Sequence, residues 1–224
     1  MDFIASEFAK GGVFMYPILA CALSALTIAF ERVFFVYFRA SVHGPAFMGQ
    51  VQRLMLDGDI EGALRLCNAE PAASLPKVVK AALLRHDRPE AEVRDAVEEA
   101  TLEVQPQINQ RIAFLPMIAN VSTLIGLLGT IHGLIQSFEA VGQSDAVERG
   151  KALSGGIAVA MYATFFGLVV SIPTLVVHGV IAARANAILD DVDHYGMKIV
   201  NLLNALRTAE ESSGGAPVLP FPGR

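Results

Sequence analysis

Thr123, Thr130, Thr164 and Ser171 place hydroxyl groups inside two stretches, residues 112–138 and 152–183, that contain no Asp, Glu, Lys or Arg. A hydroxyl donates one hydrogen bond and accepts others, so a line of them can pass a proton without holding it as a carboxylate would. Thr123 and Thr130 stand seven residues apart, as do Thr164, Ser171 and His178, and on a helix each set shares one face. His132 and His178 are the titratable groups in these stretches. No carboxylate lies there, so this chain is not expected to conduct protons by itself. The alternative is structural: a hydroxyl in an apolar helix can bond its own i−4 carbonyl or a neighbouring helix. Gly126, Gly129 and Gly133 add a small-residue contact surface, with Gly126, Thr130 and Gly133 on one stripe, and Gly167 and Pro173 are the candidate packing residues of the third apolar stretch.

Such groups need helices to position them. A span needs about 20 apolar residues at about 1.5 Å each to cross about 30 Å of hydrocarbon, and both stretches exceed that. A third, residues 13–30, is closed by Glu31-Arg32 and an aromatic exit, Phe34-Phe35-Val36-Tyr37-Phe38-Arg39. A composition 53% hydrophobic, with charge gathered in the connecting segments, agrees with an all-α integral membrane protein of three transmembrane helices with long cytoplasmic helical extensions. The organisation reads as an external segment at 1–12, span one at 13–38, a cytoplasmic helical region at 39–111, span two at 112–138, a short periplasmic loop at 139–151, span three at 152–183, a helical extension at 184–210 and a flexible tail at 211–224.

Lys and Arg set the orientation. Arg39, Arg53, Arg65, Lys77, Lys80, Arg85, Arg88, Arg94 and Arg111 lie between spans one and two, against Arg149 and Lys151 between spans two and three. The first segment and the C-terminus are therefore expected in the cytoplasm and the N-terminus outside. Residues 1–12 lack a basic region and a cleavage site and do not read as a cleaved signal peptide. In the cytoplasmic region Asp59 is placed to cap a helix carrying Ala63, Leu64 and Leu66, with Pro71 and Pro76 as breaks, in preference to a calcium loop at Asp57 and Asp59. The stripe Val93, Ala96, Val97, Ala100, Val104 and Ile108 is expected to run straight into span two. Ile188, Val192, Tyr195, Ile199, Leu202 and Leu206 carry span three onward as one helix, with Pro106, Pro116 and Pro173 as local bends. Cys21 and Cys67 fall in different environments and are expected to remain thiols. A net charge of −5 without a basic run excludes a nucleic-acid binder, and no metal constellation, nucleophilic triad or phosphate loop marks an enzyme.

Gly126-Leu-Leu-Gly-Thr-Ile131, Ala163-Thr-Phe-Phe-Gly-Leu-Val-Val-Ser-Ile-Pro173, Met15-Tyr-Pro-Ile-Leu19, the Glu31-Arg32 pair and Asp59-Ile-Glu-Gly-Ala-Leu64 together resemble the MotA/TolQ/ExbB proton-channel family over nearly the whole chain. Three spans with an external N-terminus favour the ExbB/TolQ branch. The resemblance implies a homopentamer in the bacterial inner membrane around two copies of a single-span ExbD/TolR-like subunit bearing a membrane Asp. It implies no cofactor, and proton flow as the power for TonB-type import, Tol-type envelope maintenance or gliding motility through a TonB/TolA-like or motility adaptor. Thr130 and Thr164 match the positions that face the partner's acid. One departure stands out: the pattern often has Glu where this chain has Val159. His132 is the candidate for proton entry, against a neutral histidine near the outer interface. Lacking extra acids or amides near the two threonines, the chain leans toward protons over sodium. The competing reading is a membrane scaffold without ion flux, in which hydroxyls and glycines serve helix packing alone.

Overall fold

The computed structural model describes residues 11–143 and 146–212, with the backbone alone at 143, 146–148, 152 and 210–212. Every described element is helical: α1 (Met15–Phe34, continued by a π-helical turn Phe35–Arg39), α2 (Gly44–Leu56), α3 (Ile60–Ala69), α4 (Ser74–Leu84), α5 (Glu90–Asn109), α6 (Phe114–Gln143) and α7 (Ala146–Ser212). The chain divides into two compact units, one comprising residues up to Arg32 with Arg111–Ile181, the other Val33–Gln110 with Ala182 onward.

In the first unit, along 126–133 and 160–169, the usual placement of residue sizes is reversed. Gly126, Gly129, Gly133, Ala160, Ala163 and Gly167 are buried, whereas Leu127, Leu128, Ile131, Met161, Phe165 and Val169 are exposed. Water would penalise that many bare apolar side chains, but lipid does not, and close helix packing in lipid is driven by small residues. Three helical segments, within Met15–Leu56, Glu90–Gly142 and Arg149–Ala209, are long and apolar enough to cross a membrane.

The second unit follows ordinary rules. Val51, Met55, Ala63, Cys67, Val78, Val79, Leu83, Val93, Ala96, Val104 and Ile108 form a core with Ala185, Ile188, Val192 and Ile199 of α7. Of the predicted α7 stripe, Tyr195, Leu202 and Leu206 are half-buried. Asp59 caps α3, its carboxylate accepting from the Gly62 N–H at 2.7 Å. Gly58 before it has φ 75°, a conformation glycine enters without steric penalty. Burial pushes the Cys67 thiol up to about 11, the nearby Lys80 charge opposing.

Four expectations need correction. Pro76 does not break a helix: it occupies the first turn of α4, where its missing N–H would lack an intrahelical partner anyway. The α5 stripe does not run into span two, because α5 ends at Asn109 and α6 begins only at Phe114, past a turn in which Arg111 takes φ 62°. Pro116 explains this, since a continuous helix would drive its ring into the carbonyl of Ile112. The loop expected at 139–151 is helical through Gln143 and again from Ala146, charged residues being no obstacle to helix outside hydrocarbon. Residues 211 and 212 close α7 in place of starting a tail; 213–224 and residues 1–10 of the N-terminal segment lie outside the described residues.

Candidate functional site

α6 and α7 pack antiparallel along a seam of small residues. Ser122, Gly126, Gly129, Gly133 and Ser137 recur at intervals of three and four along α6, opposite Gly156, Ala160, Ala163 and Gly167 of α7. A Cβ added at Gly126 would lie 3.0 Å from the Ala163 carbonyl oxygen and 3.2 Å from the Thr164 Cα. One added at Gly167 would lie 2.9 Å from the Ser122 carbonyl oxygen, and one at Gly133 about 3.0 Å from Ala160. Each glycine is thus replaced only by moving a backbone, which fixes how closely the helices approach.

That approach brings Thr130 and Thr164 together at the edge of the seam, where both are half-buried and hydrogen-bond to each other through Oγ1. Thr164 Oγ1 also reaches the Gly126 carbonyl at 3.1 Å, across the helices. Thr130 Oγ1 reaches the Ala160 carbonyl at 3.3 Å and the Gly126 carbonyl at 3.2 Å. Each hydroxyl has one hydrogen, so the bond between them runs in either of two directions. Thr130 donates to Thr164 while Thr164 donates to Gly126, or Thr164 donates to Thr130 while Thr130 donates to the Ala160 or the Gly126 carbonyl. The two interconvert by rotating hydroxyls, with no heavy atom displaced. With both hydrogens engaged the pair can accept from a carboxyl through a hydroxyl lone pair, and a hydroxyl that turns away from its carbonyl can donate to a carboxylate. Along α6 the nearest charge to the pair is Glu139, about 13 Å away.

The other candidates do not converge on this point. Thr123 donates to its own helix, at the Ala119 carbonyl, 3.1 Å away. Ser171 is buried one turn past Gly167, and His178 is half-buried two turns further on. His132 follows Thr130 by two residues, about 200° around the helix, and its ring packs edge-on against Phe14 with centroids 5.3 Å apart. Val159 points toward the start of α1, its Cγ1 lying 3.6 Å from where a Cβ on Gly12 would stand. Pro173 lies within α7, and the Thr174 hydroxyl donates to the Val170 carbonyl at 2.7 Å in the turn the proline weakens. Sequence reasoning missed Ser122, fully buried, whose hydroxyl donates to the Gly167 carbonyl at 3.3 Å. Its signal was present in the four-residue step from Ser122 to Gly126.

Comparison with known proteins adds an independent finding. The sequence profile of the MotA/TolQ/ExbB proton channel family matches residues 70–194. The chain is 34% identical over 194 residues to a putative biopolymer transport protein ExbB-like 1 of Synechocystis sp., covering 84% of this chain and 74% of that protein. It is 26% identical over 194 residues to the biopolymer transport protein exbB1 of Vibrio cholerae, covering 85% and 84%. It is 30% identical over 121 residues to the Tol-Pal system protein TolQ of Haemophilus influenzae, covering 53% of each.

Proposed function

This chain belongs to the MotA/TolQ/ExbB proton channel family, and on that premise we propose that it is the proton-channel and stator subunit of an inner-membrane motor, not an enzyme. In this reading the chain forms a homopentamer, and a single-span ExbD/TolR-like partner supplies the membrane aspartate that α6 and α7 lack. The observation that carries the reading is the Thr130–Thr164 hydroxyl pair, half-buried where the charge-free stretches 112–138 and 152–183 meet. Its hydroxyls can meet both protonation states of a carboxyl, accepting from the acid while they donate to their carbonyls and donating to the carboxylate when one turns away from its carbonyl. A carboxylate receives a hydrogen bond from the pair, a carboxyl donates one to it, and neither state is trapped. The protonated acid is neutral and crosses the apolar stretch at far lower cost than the ionised form.

In this reading residues 39–111 and the C-terminus lie in the cytoplasm, supported by the nine Lys and Arg residues between spans one and two against two between spans two and three. The coupling ion is the proton, and the driven process is of the TonB, Tol or gliding type. A scaffold without ion flux is the second reading, favoured by the glycine seam, which would pack the helices equally well without the threonines. Co-purification from membranes with native mass measurement separates the two. The motor reading expects five copies with a small single-span protein bearing one membrane acid. Recovery of the chain alone, or with a partner lacking that acid, refutes it.

A further inference from the structure

We propose that Glu31 is a positioning residue: through Arg111 it locks the start of α6 and so sets the register in which Thr130 meets Thr164. Glu31 closes the first span, 17 residues beyond Phe14, which stands beside Gly129 and so near the hydroxyl pair. Its carboxylate accepts from Arg111 Nη1 at 2.5 Å and from Arg32 Nη2 at 3.0 Å, so each oxygen has its own guanidinium. Arg32 is 3% exposed and is thereby fixed in the packing of α1. Glu31 and Arg111 are 80 residues apart in the chain, so the bond ties the end of α1 to the entry of α6.

Arg111 stands at the point where that entry is decided. Its φ of 62° is one that an L side chain rarely adopts, and it is the only non-glycine residue with positive φ among the described residues. Its carbonyl accepts the Phe114 N–H at 3.2 Å, one of the bonds that start α6. A backbone conformation of this kind persists when its surroundings over-determine it, and the bond to Glu31 does so. Thr130 lies 16 residues beyond Phe114, the first residue of α6, about 24 Å along the axis. A slip of one residue at the entry moves the Thr130 hydroxyl about 1.5 Å along the helix and about 100° around it, which takes it off Thr164. The clamp therefore acts on the hydroxyl pair through the rigid rod between them.

The effect on motor output rests on the channel reading given above, but the geometry can be tested without it. In a Cys21→Ala, Cys67→Ala background, Thr130→Cys and Thr164→Cys are introduced into the full chain, and disulfide formation is timed in native membranes. Glu31→Gln is expected to slow crosslinking about fivefold, the scale of a partly exposed ion pair, with oligomer mass unchanged. Charge reversal, Glu31→Arg with Arg111→Glu, is expected to restore the rate. Arg111→Gly keeps the fold accessible, because glycine takes φ 62° freely. In that background Glu31→Gln is expected to change nothing further. An unchanged rate in Glu31→Gln, failure of the reversal, or an undiminished effect of Glu31→Gln beside Arg111→Gly overturns the proposal. Normal crosslinking dependence with no effect of Glu31→Gln on motor output would leave the clamp intact and count against the channel reading instead.

Discussion

Gly126→Ala is the substitution that most sharply separates close approach from mere apolarity. The new methyl would stand 3.0 Å from the Ala163 carbonyl oxygen, 3.2 Å from the Thr164 Cα and 3.4 Å from the Gly167 Cα, all on one facing backbone. No side chain can rotate away, so the helices must part by a few tenths of an ångström. Overpacking of this kind costs about 1–3 kcal/mol. Alanine also gains about 1 kcal/mol in helix propensity, which obscures the cost in a single variant. Gly179→Ala supplies the correction: it lies in α7, a Cβ there meets nothing within 4 Å, and it carries the same propensity gain. The difference between the two variants therefore isolates the seam. For a chain of this size it corresponds to a thermal midpoint lower by about 2–10 °C, read by size-exclusion of the heated complex. The hydroxyl network should suffer more than stability. Thr130 already reaches the Ala160 carbonyl at 3.3 Å, so a parting of a few tenths removes that bond. Motor output should then fall well below that of Gly179→Ala while the oligomer still assembles. Equal midpoints and equal output for the two variants would refute the reasoning.

Further outcomes follow from single contacts. Ser122→Ala removes the buried hydroxyl that donates to Gly167, and should destabilise the complex by about 1 kcal/mol while leaving most output intact. Asp59→Ala removes the α3 cap and should lower the thermal midpoint by the equivalent of about 1 kcal/mol, without effect on proton movement. The Cys67 thiol, held up to about 11 against an ordinary 9.0, favours the protonated form in the folded state. Its contribution is fully present below pH 9 and is lost as pH rises toward 11, so wild type should lose more stability than Cys67→Ala across that window in a denaturation series.

The spans were legible because lipid imposes length and apolarity on sequence, and 112–138 and 152–183 show both without interruption. The hydroxyl pair was legible only in part. Seven-residue spacing put Thr123 with Thr130 and Ser171 with Thr164 on common faces, but a common face on each helix does not say which residues meet across helices. Crossing is set by the seam, and α7's half of it, Gly156, Ala160, Ala163 and Gly167, carries no chemistry that would draw notice. Ser122 was passed over for Thr123 for that reason, although the step of four to Gly126 places it on the packed side. The break at 110–113 escaped because the α5 stripe has the right period up to Ile108, and periodicity does not register the clash of Pro116 with a carbonyl four residues earlier. His132, two residues from Thr130 in sequence, lies about 200° from it around the helix, a separation that nearness in sequence does not display.

The central claim is that the Thr130 and Thr164 hydroxyls carry protons to and from a partner's acid. It is tested most directly by proton flux into vesicles holding the purified complex, driven by an imposed pH gradient, with wild type set against Thr130→Val, Thr164→Val and Thr164→Ser. Flux is expected in wild type and in the serine variant, with its loss in both valine variants at unchanged oligomer mass. Undiminished flux with both hydroxyls replaced by valine would contradict it.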